Sequence, residues 1–229
     1  MMINLDKNHA TDYHVNEAYK ILAANVQFCG SNNKIIAITS CTPNEGKSNV
    51  SLNLATFLAE TGKKVIFIDG DLRKSVLLGR YKIGKKVKGL THFLSGQNEF
   101  GEVVNETNVH RLHVVLAGPT PPNPPELLGS NRFKAAIKAL KSIYDYIIID
   151  TPPLGSVIDA AIVAKECDGA IMVIESKAIS YKYARKVKEQ LEKADCTLLG
   201  VVLNKVDLNH DKYYGKYDRA YYGEYKHAQ

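Results

Sequence analysis

Six short runs rich in β-branched residues set the strongest limit on the fold of this chain. Each run is almost entirely apolar and does not alternate with polar residues, which is typical of strands that are buried on both faces of a sheet. Longer amphipathic segments separate the runs, so this order predicts an α/β fold with a mostly parallel central sheet and helices on both faces. The predicted strands are 34–40, 64–69, 112–118, 146–150, 169–175 and 198–204.

Helices are predicted in the segments between these strands. The segment after the first strand repeats apolar residues at helical spacing and closes with Gly62, a residue suited to the left-handed turn that ends many helices. Ser130 is a candidate N-cap. A further helix from about Val15 to Phe28 precedes the first strand, so its apolar side needs some other surface to cover it. The remaining predicted helices are 130–143, 157–165 and 180–194.

The length and composition predict one domain with an extension at each end. With 229 residues and 45% apolar content, the chain can bury one sizeable core, and no flexible linker divides its interior. The Pro-rich stretch at 119–125 reads as a rigid loop. We assign 1–33 to an N-terminal extension with its helix, 34–207 to the domain that holds the sheet, and 208–229 to a tyrosine-rich tail.

Charge and apolar patterning exclude several classes of protein. No apolar run approaches the roughly 18 residues of a membrane span, and the polar N-terminus lacks the apolar centre of a signal peptide, so we expect a cytoplasmic protein. The four cysteines form no C-x-x-C pair, which argues against a disulfide framework or a zinc site. The net charge of +6 is not interleaved with aromatic residues, so no nucleic acid is expected as a partner. The basic stretch from Arg80 to Lys88 is either a solvated loop or a docking face for an acidic partner or a membrane surface.

The string CTPNEGKSN between the first strand and the following helix predicts a phosphate-binding loop. Backbone N–H groups in such a loop, together with the positive end of the helix, hold polyphosphate oxygens. Lys47 would neutralise the β- and γ-phosphates, and the Ser48 hydroxyl would bind Mg²⁺. The strict pattern G-x-x-x-x-G-K-S fails at its first glycine, where this chain has Cys41. The predicted nucleotide-binding residues of the loop are Asn44, Glu45, Gly46, Lys47, Ser48 and Asn49, and outside the loop Arg73 and Asn204 are also predicted to bind the nucleotide.

Acidic residues follow two other predicted strands. Asp69, Asp71 and Arg73 end the run VIFIDGDLR, and Asp150 ends the run IIID. Because open α/β sheets present ligand groups at the carboxyl ends of their strands, we expect these side chains to meet near the phosphate loop. Three carboxylates at such a place suit Mg²⁺ coordination and proton abstraction.

These motifs resemble those of the bacterial tyrosine kinases of capsule and exopolysaccharide synthesis. CTPNEGKS resembles their Walker A motif, VIFIDGDLR their Walker A′ motif and IIIDTPP their Walker B motif, and GPTPPNPPELLGS resembles the loop before their next helix. The resemblance implies a P-loop NTPase three-layer sandwich, ATP and Mg²⁺ as cofactors, and catalytic roles for Lys47, Asp69, Asp71 and Asp150. Ser48, Asp71 and Asp150 would support the metal, and Asp69 is the candidate base for the substrate tyrosine. The sequence alone does not show which of these three carboxylates acts as the base and which bind the metal.

The resemblance also implies partners. It points to the two-component form of the family, in which the cytoplasmic tail of a transmembrane activator recruits the kinase to the inner face of the membrane. A homo-oligomer, with a ring as one form, and a cognate tyrosine phosphatase are expected. The family's E-x-x-R-x-x-R motif for ring assembly reads here as Glu17, Lys20 and Ala23, and neither Lys nor Ala supplies the bidentate fork of Arg.

The tyrosine-rich C-terminal segment is a predicted substrate of the kinase itself. Six of the thirteen tyrosines lie in the final seventeen residues, where Gly215 and Gly223 weaken any helix or strand. We predict a flexible tail whose tyrosines are autophosphorylated; the alternative is an aromatic tail that folds onto an apolar groove or stacks on RNA. The predicted phosphorylation sites are Tyr213, Tyr214, Tyr217, Tyr221, Tyr222 and Tyr225.

Three other functions fit parts of the sequence. A partition or site-selection ATPase of the ParA/MinD kind typically has a lysine early in its phosphate loop, where this chain has Thr42. A GTPase would explain Asn204-Lys205-Val206-Asp207, although related ATP-binding folds can use an Asn such as Asn204 for adenine. A nucleotide-binding adaptor without catalysis would fit Cys41 in the loop.

Overall fold

A computed structural model describes residues 2–5, 13–80 and 87–207. The predicted tail and most of the basic stretch lie outside this range. The strands are β1 (Met2–Ile3), β2 (Ile35–Ser40), β3 (Val65–Asp69), β4 (Val104–Thr107), β5 (Leu112–Val115), β6 (Tyr146–Asp150), β7 (Gly169–Glu175) and β8 (Leu198–Asn204). The helices are α1 (Tyr13–Phe28), α2 (Lys47–Glu60), α3 (Leu77–Arg80), α4 (Leu90–Leu94), α5 (Phe100–Val103), α6 (Pro124–Leu128), α7 (Asn131–Leu140), α8 (Asp159–Ala164) and α9 (Tyr181–Lys193).

Within the described residues the strands form one sheet in the order β1-β4-β5-β3-β6-β2-β7-β8. All neighbouring strands pair in parallel except β4 and β5, which are antiparallel. The predicted α/β fold with a mostly parallel sheet is therefore confirmed. All six predicted strands are present.

The core has two sides because successive residues of a strand point to opposite faces of the sheet. Phe67 and Ile148 face the layer that contains α1 and α2. Their neighbours Ile66 and Ile149 face the layer that contains α7 and α8. Strands β2, β3 and β6 are buried along their whole length, as expected for a sheet covered on both faces. This arrangement fixes the carboxyl ends of the central strands at one rigid edge.

Helix α1 lies on α2, which is the surface that its apolar side required. Tyr19, Ala23 and Val26 are buried there, and the Tyr19 ring stacks on Phe57 with centroids 5.7 Å apart. Lys20 pairs within the helix with Glu17, their Nζ and Oε1 atoms 2.6 Å apart. Ala23, the last of the three positions compared above with the ring-assembly motif, is only 1% exposed and faces the interior.

The structure departs from the sequence prediction in several elements. The short helices α3, α4, α5 and α6 were not predicted, and α6 begins at Pro124, inside the stretch predicted as a rigid loop. Strand β8 is not buried on both faces, since among the described strands it pairs only with β7 and leaves Val201 51% exposed. Strand β5 is shorter than predicted because Leu116 and Ala117 accept hydrogen bonds from the backbone at the start of α4. Strands β1 and β4 were not predicted, being two and four residues long. Helices α7 and α8 are shorter than predicted by one to three residues at their ends. Among the described residues, no helix has the length and apolar character needed to cross a membrane.

Candidate active site

The phosphate loop runs from the end of β2 to the first residue of α2. Asn44 and Gly46 have φ of 68° and 88°, which is the left-handed region. Glycine is required at 46 for a second reason, since a Cβ there would lie 2.2 Å from Asn204 Nδ2. The buried Glu45 carboxylate accepts a hydrogen bond of 2.7 Å from the Thr42 backbone N–H. The loop is thus held in shape by its own residues and by the end of β8.

Cys41 occupies the first glycine position of the usual phosphate-loop pattern. It is not among the residues with positive φ, so this position makes no conformational demand for glycine here. The thiol is fully buried, its Sγ lies 3.7 Å from Met172 Sδ, and burial raises its pKa to about 12. Cysteine therefore serves as a small packing residue, and its presence does not argue against a nucleotide site.

Lys47 lies between two of the predicted carboxylates. Its Nζ is 3.5 Å from Asp71 Oδ2 and 3.7 Å from Asp150 Oδ2, and it donates to Ser48 Oγ at 3.2 Å. Asp69 and Asp150 are directly paired across β3 and β6 in the sheet register. The structure therefore brings all five predicted residues, including Asp69, to the same edge of the sheet.

Asp69 is as deeply buried as Asp150, and both are more buried than Asp71. Asp69 is 1% exposed, and burial together with the nearby Asp150 raises its pKa to about 7. The Ser75 hydroxyl donates a short hydrogen bond to Asp69 Oδ2 and opposes that rise. A carboxyl group with a pKa near neutrality is suited to take up a proton during a reaction.

Asp150 has an unsatisfied oxygen at the centre of the site. Its Oδ1 atom is buried and makes no hydrogen bond of good geometry. Burial raises the Asp150 pKa, while the Lys47 charge and the nearby Ser48 and Ser51 hydroxyls oppose the rise. A buried oxygen of this kind calls for a bound cation, water or ligand group. The described residues contain no cluster of three or more His, Cys, Asp or Glu residues able to hold a metal by themselves. The oxygen donors of Ser48, Asp71 and Asp150 suit Mg²⁺, which is usually bound by one or two carboxylates together with waters and substrate phosphates.

The remaining predicted ligands of the nucleotide have protein partners in the structure. Asn204 Nδ2 donates to the Glu45 carbonyl at 2.9 Å, and Asn49 Nδ2 lies 3.5 Å from Tyr19 Oη. Arg73 forms a two-point ion pair with Asp159, a residue that the sequence analysis did not single out. Asp159 is fully buried at the start of α8, and a lone acid in an apolar helical segment gave no signal of this role. Direct contacts of these residues with a nucleotide stay predictions.

Comparison with known proteins decides the family. A family model described as an AAA domain matches residues 33–199. A tyrosine-protein kinase CpsD of Streptococcus agalactiae is 47% identical over 208 residues, covering 89% of this chain and 91% of that protein. A tyrosine-protein kinase CpsD of Streptococcus pneumoniae is 43% identical, covering 91% of each. This chain belongs to the CpsD/CapB-type bacterial tyrosine kinases. As a member of this family it is a protein-tyrosine kinase, so the predicted family and enzyme class are confirmed.

Solved structures place this bacterial tyrosine kinase with the same relatives. The chimerical protein CapA2B2 matches with a TM-score of 0.81 at 31% identity, over 90% of this chain and 92% of that one. The kinase domain of the Escherichia coli tyrosine kinase ETK matches with a TM-score of 0.81 at 32% identity, over 86% of this chain and 79% of that one. A septum site-determining protein MinD with Mg-ADP, from Pyrococcus horikoshii, matches with a TM-score of 0.63 at 28% identity, over 74% of this chain and 69% of that one. The P-loop NTPase fold is confirmed, and the comparisons favour the tyrosine kinases over the ParA/MinD alternative.

Proposed function

We propose that this chain uses Mg²⁺ and ATP to phosphorylate the tyrosines of its own C-terminal tail, and that it regulates capsular or exopolysaccharide synthesis and export. The observation that supports this proposal most is the position of Lys47 between Asp71 and Asp150, next to the buried Asp150 Oδ1. Phosphoryl transfer requires positioning and charge neutralisation more than covalent chemistry, and this site offers both.

Each residue has a task that its surroundings support. Lys47, freed from its two carboxylates, neutralises phosphate oxygens, while Ser48, Asp71 and Asp150 are the groups that would hold Mg²⁺. When bound, the metal supplies positive charge that stabilises the developing charge on the transferred phosphoryl group. Asp69 takes the proton of the substrate tyrosine, and Ser75 orients it. Neighbouring backbone N–H groups of Arg73 and Lys74 hold Asp71 Oδ1 in place at 3.3 and 3.0 Å.

The proposed partners follow from the family. A putative tyrosine-protein kinase EpsB of Ralstonia nicotianae is 35% identical to this chain, which covers only 28% of that longer protein. We infer from the family that a membrane activator recruits this kinase through its cytoplasmic tail. A homo-oligomer and a cognate phosphatase complete the proposed set. Tail phosphorylation would add about −1.5 to −2 charges per tyrosine and so weaken self-association, which light scattering can measure.

The decisive experiment uses the full chain with ATP and Mg²⁺, alone and with the cytoplasmic tail of the activator. Wild-type protein should become reactive to anti-phosphotyrosine antibody, and mass spectrometry should place phosphate on tail tyrosines. Lys47→Ala should lose the signal, whereas Lys138→Ala, on the exposed side of α7, should keep it. ATP hydrolysis without phosphotyrosine under both conditions would instead support a regulatory ATPase of the ParA/MinD kind.

A further inference from the structure

Tyrosines in the described part of the chain differ sharply in their access to solvent. Tyr181 is 83% exposed and Tyr13 is 62% exposed. The Tyr183 hydroxyl is committed to the Gly155 carbonyl, to which it donates at 3.3 Å. The others are buried, each 8% exposed: Tyr19, Tyr144 and Tyr146. An acceptor hydroxyl must enter a neighbouring active site, so only Tyr181 and Tyr13 are candidates among the described tyrosines.

Tyr181 is the first residue of α9, directly after the N-cap Ser180. The first turn of a helix opens at low free-energy cost, which allows this hydroxyl to reach a cleft in an extended conformation. In the sequence Tyr181 is followed by Lys182, as Tyr225 in the tail is followed by Lys226. Tyr181 thus combines exposure, a position that frays and a basic neighbour.

Two cations follow Tyr181 along one stripe of α9. Arg185 and Lys188 are four and seven residues further on, so they lie on the same face of the helix as Tyr181. This shared face, set by the helical spacing, brings the two cations to the side of α9 on which a group attached to Tyr181 lies.

Both cations are held by partners that a phosphate can displace. Arg185 Nε lies 3.2 Å from Glu189 Oε1, and Lys188 Nζ lies 2.7 Å from Glu192 Oε1. All four side chains are about half exposed or more, and exposed pairs of this kind are weak. A phosphotyrosine brings nearly two charges and three acceptor oxygens, so it competes well with a single carboxylate.

We propose that Tyr181 is a second phosphorylation site of this kinase, outside the tail, and that Arg185 and Lys188 bind the phosphate once it is attached. The proposal rests on the proposed kinase function. The Tyr181 hydroxyl oxygen forms a bond to the γ-phosphorus of ATP as the bond from that phosphorus to the β,γ-bridging oxygen breaks. ADP leaves with the electron pair of that bond, and the hydroxyl proton passes to the catalytic base.

Tyr13 provides an internal comparison. It also begins a helix, is also exposed and also has a lysine seven positions further on, Lys20, but the residue four positions on is Glu17, where α9 has Arg185, and Lys20 is paired with that Glu17. A phosphate on Tyr13 would therefore meet a carboxylate, and like charges at this spacing are destabilising. The proposal requires Tyr181 to be modified in preference to Tyr13.

The test uses full-length protein in which the six tail tyrosines are changed to Phe, so that the tail cannot accept phosphate. After incubation with ATP, Mg²⁺ and the activator's cytoplasmic tail, phosphopeptide mass spectrometry should find phosphate on Tyr181 at several times the occupancy of Tyr13. Adding Lys47→Ala should abolish it. Modification of the wild-type tail with Tyr181 unmodified in both proteins would overturn this proposal and leave the kinase function intact. Absence of phosphotyrosine from the wild-type protein would overturn both.

A second measurement tests the phosphate contacts. Phosphorus NMR titration of the tail-substituted, phosphorylated protein should give a second phosphate pKa about 0.5 unit or more below its usual value of roughly 6, because nearby cations favour the dianion. Arg185→Gln should return the pKa toward that value, whereas Lys138→Gln on α7 should not. A normal phosphate pKa in the protein with Arg185 intact would show that the cations do not bind the phosphate, and would overturn that part of the proposal.

Discussion

Arg73 and Asp159 form an ion pair through two contacts, with Nε–Oδ2 at 2.7 Å and Nη2–Oδ1 at 3.0 Å. The pair joins the segment after β3 to the first turn of α8, two parts of the chain that are 86 residues apart. Since the Arg73 backbone N–H also donates to Asp71 Oδ1, fixing Arg73 fixes the acidic segment beside Lys47. Asp159 therefore positions the site without taking part in its chemistry.

Replacing Asp159 by Asn should destabilise the protein. One partner of the pair is fully buried, but Arg73 is 41% exposed, so we expect a loss of about 1–2 kcal/mol rather than the larger cost of a wholly buried pair. Denaturant unfolding measures this loss. In an Arg73→Gln background, Asp159→Asn should lower the free energy of unfolding by less. An equal loss in both backgrounds would show that the two residues act independently. Glu192→Gln, in the exposed pair with Lys188, is a control for which about 0.5 kcal/mol or less is expected.

Asp69→Asn should stabilise the protein while it removes activity. The folded-state pKa of Asp69 is about 7, against the ordinary value of 3.8 for an aspartate, so between those pH values the folded protein keeps a proton that the unfolded chain has released. Stability is therefore lost as pH rises from about 4 to about 7, and Asn avoids that loss. The melting temperature of metal-free Asp69→Asn should exceed that of the wild type by more at about pH 8 than at about pH 5, with a gain of order 1–3 kcal/mol at the higher pH. A difference that does not change with pH would contradict the raised pKa.

Gly155→Ala should weaken nucleotide binding. A Cβ at this position would lie 2.2 Å from the Cys41 carbonyl oxygen, which belongs to the phosphate loop, and 2.5 Å from the Tyr183 hydroxyl. Overpacking of this size costs about 1–3 kcal/mol, so we expect affinity for a fluorescent ATP analogue to fall by about 10-fold as the loop shifts. Gly101→Ala is the matched control, because no atom lies within 4 Å of its added Cβ. Equal affinities in the two variants would show that the loop tolerates the contact.

Asn204→Asp tests how the end of β8 supports the nucleotide site. The change removes the amide that donates to the Glu45 carbonyl and puts a negative charge beside the phosphate loop. Affinities for ATP and GTP, measured by competition, should therefore both fall, with the wild type preferring ATP. The control Asn98→Asp changes a half-buried residue in the turn before α5, whose amide donates to the exposed Glu102 at 3.1 Å. A wild-type preference for GTP would instead favour the guanine-reading interpretation of Asn204-Lys205-Val206-Asp207.

The sequence predicted those parts of the fold that depend on local pattern. Apolar runs identified every long strand, and the rule that parallel strands present groups at their carboxyl ends brought Asp69, Asp71 and Asp150 to Lys47. The phosphate loop was recognised despite Cys41 because its context, a strand before and a helix after, decides its geometry more than a single letter.

Other features depend on contacts between distant segments, which no local pattern reports. Strand β1 pairs with β4, and beside it Asn108 exchanges two hydrogen bonds with the Leu5 backbone, 103 residues away. The Arg73–Asp159 pair likewise joins residues that are far apart in the sequence. The exposure of β8 follows from its place at the edge of the sheet, whereas its composition matches that of the central strands.

The burial of Cys41 has a practical consequence for spectroscopy. A thiol whose pKa is about 12 stays protonated at neutral pH and is shielded from solvent, so maleimide reagents should spare it. Cys29, at the end of α1, is exposed and should react first. A dye attached there would report on α1 while the phosphate loop keeps its native chemistry, which makes the wild-type chain suitable for fluorescence studies of assembly without cysteine removal.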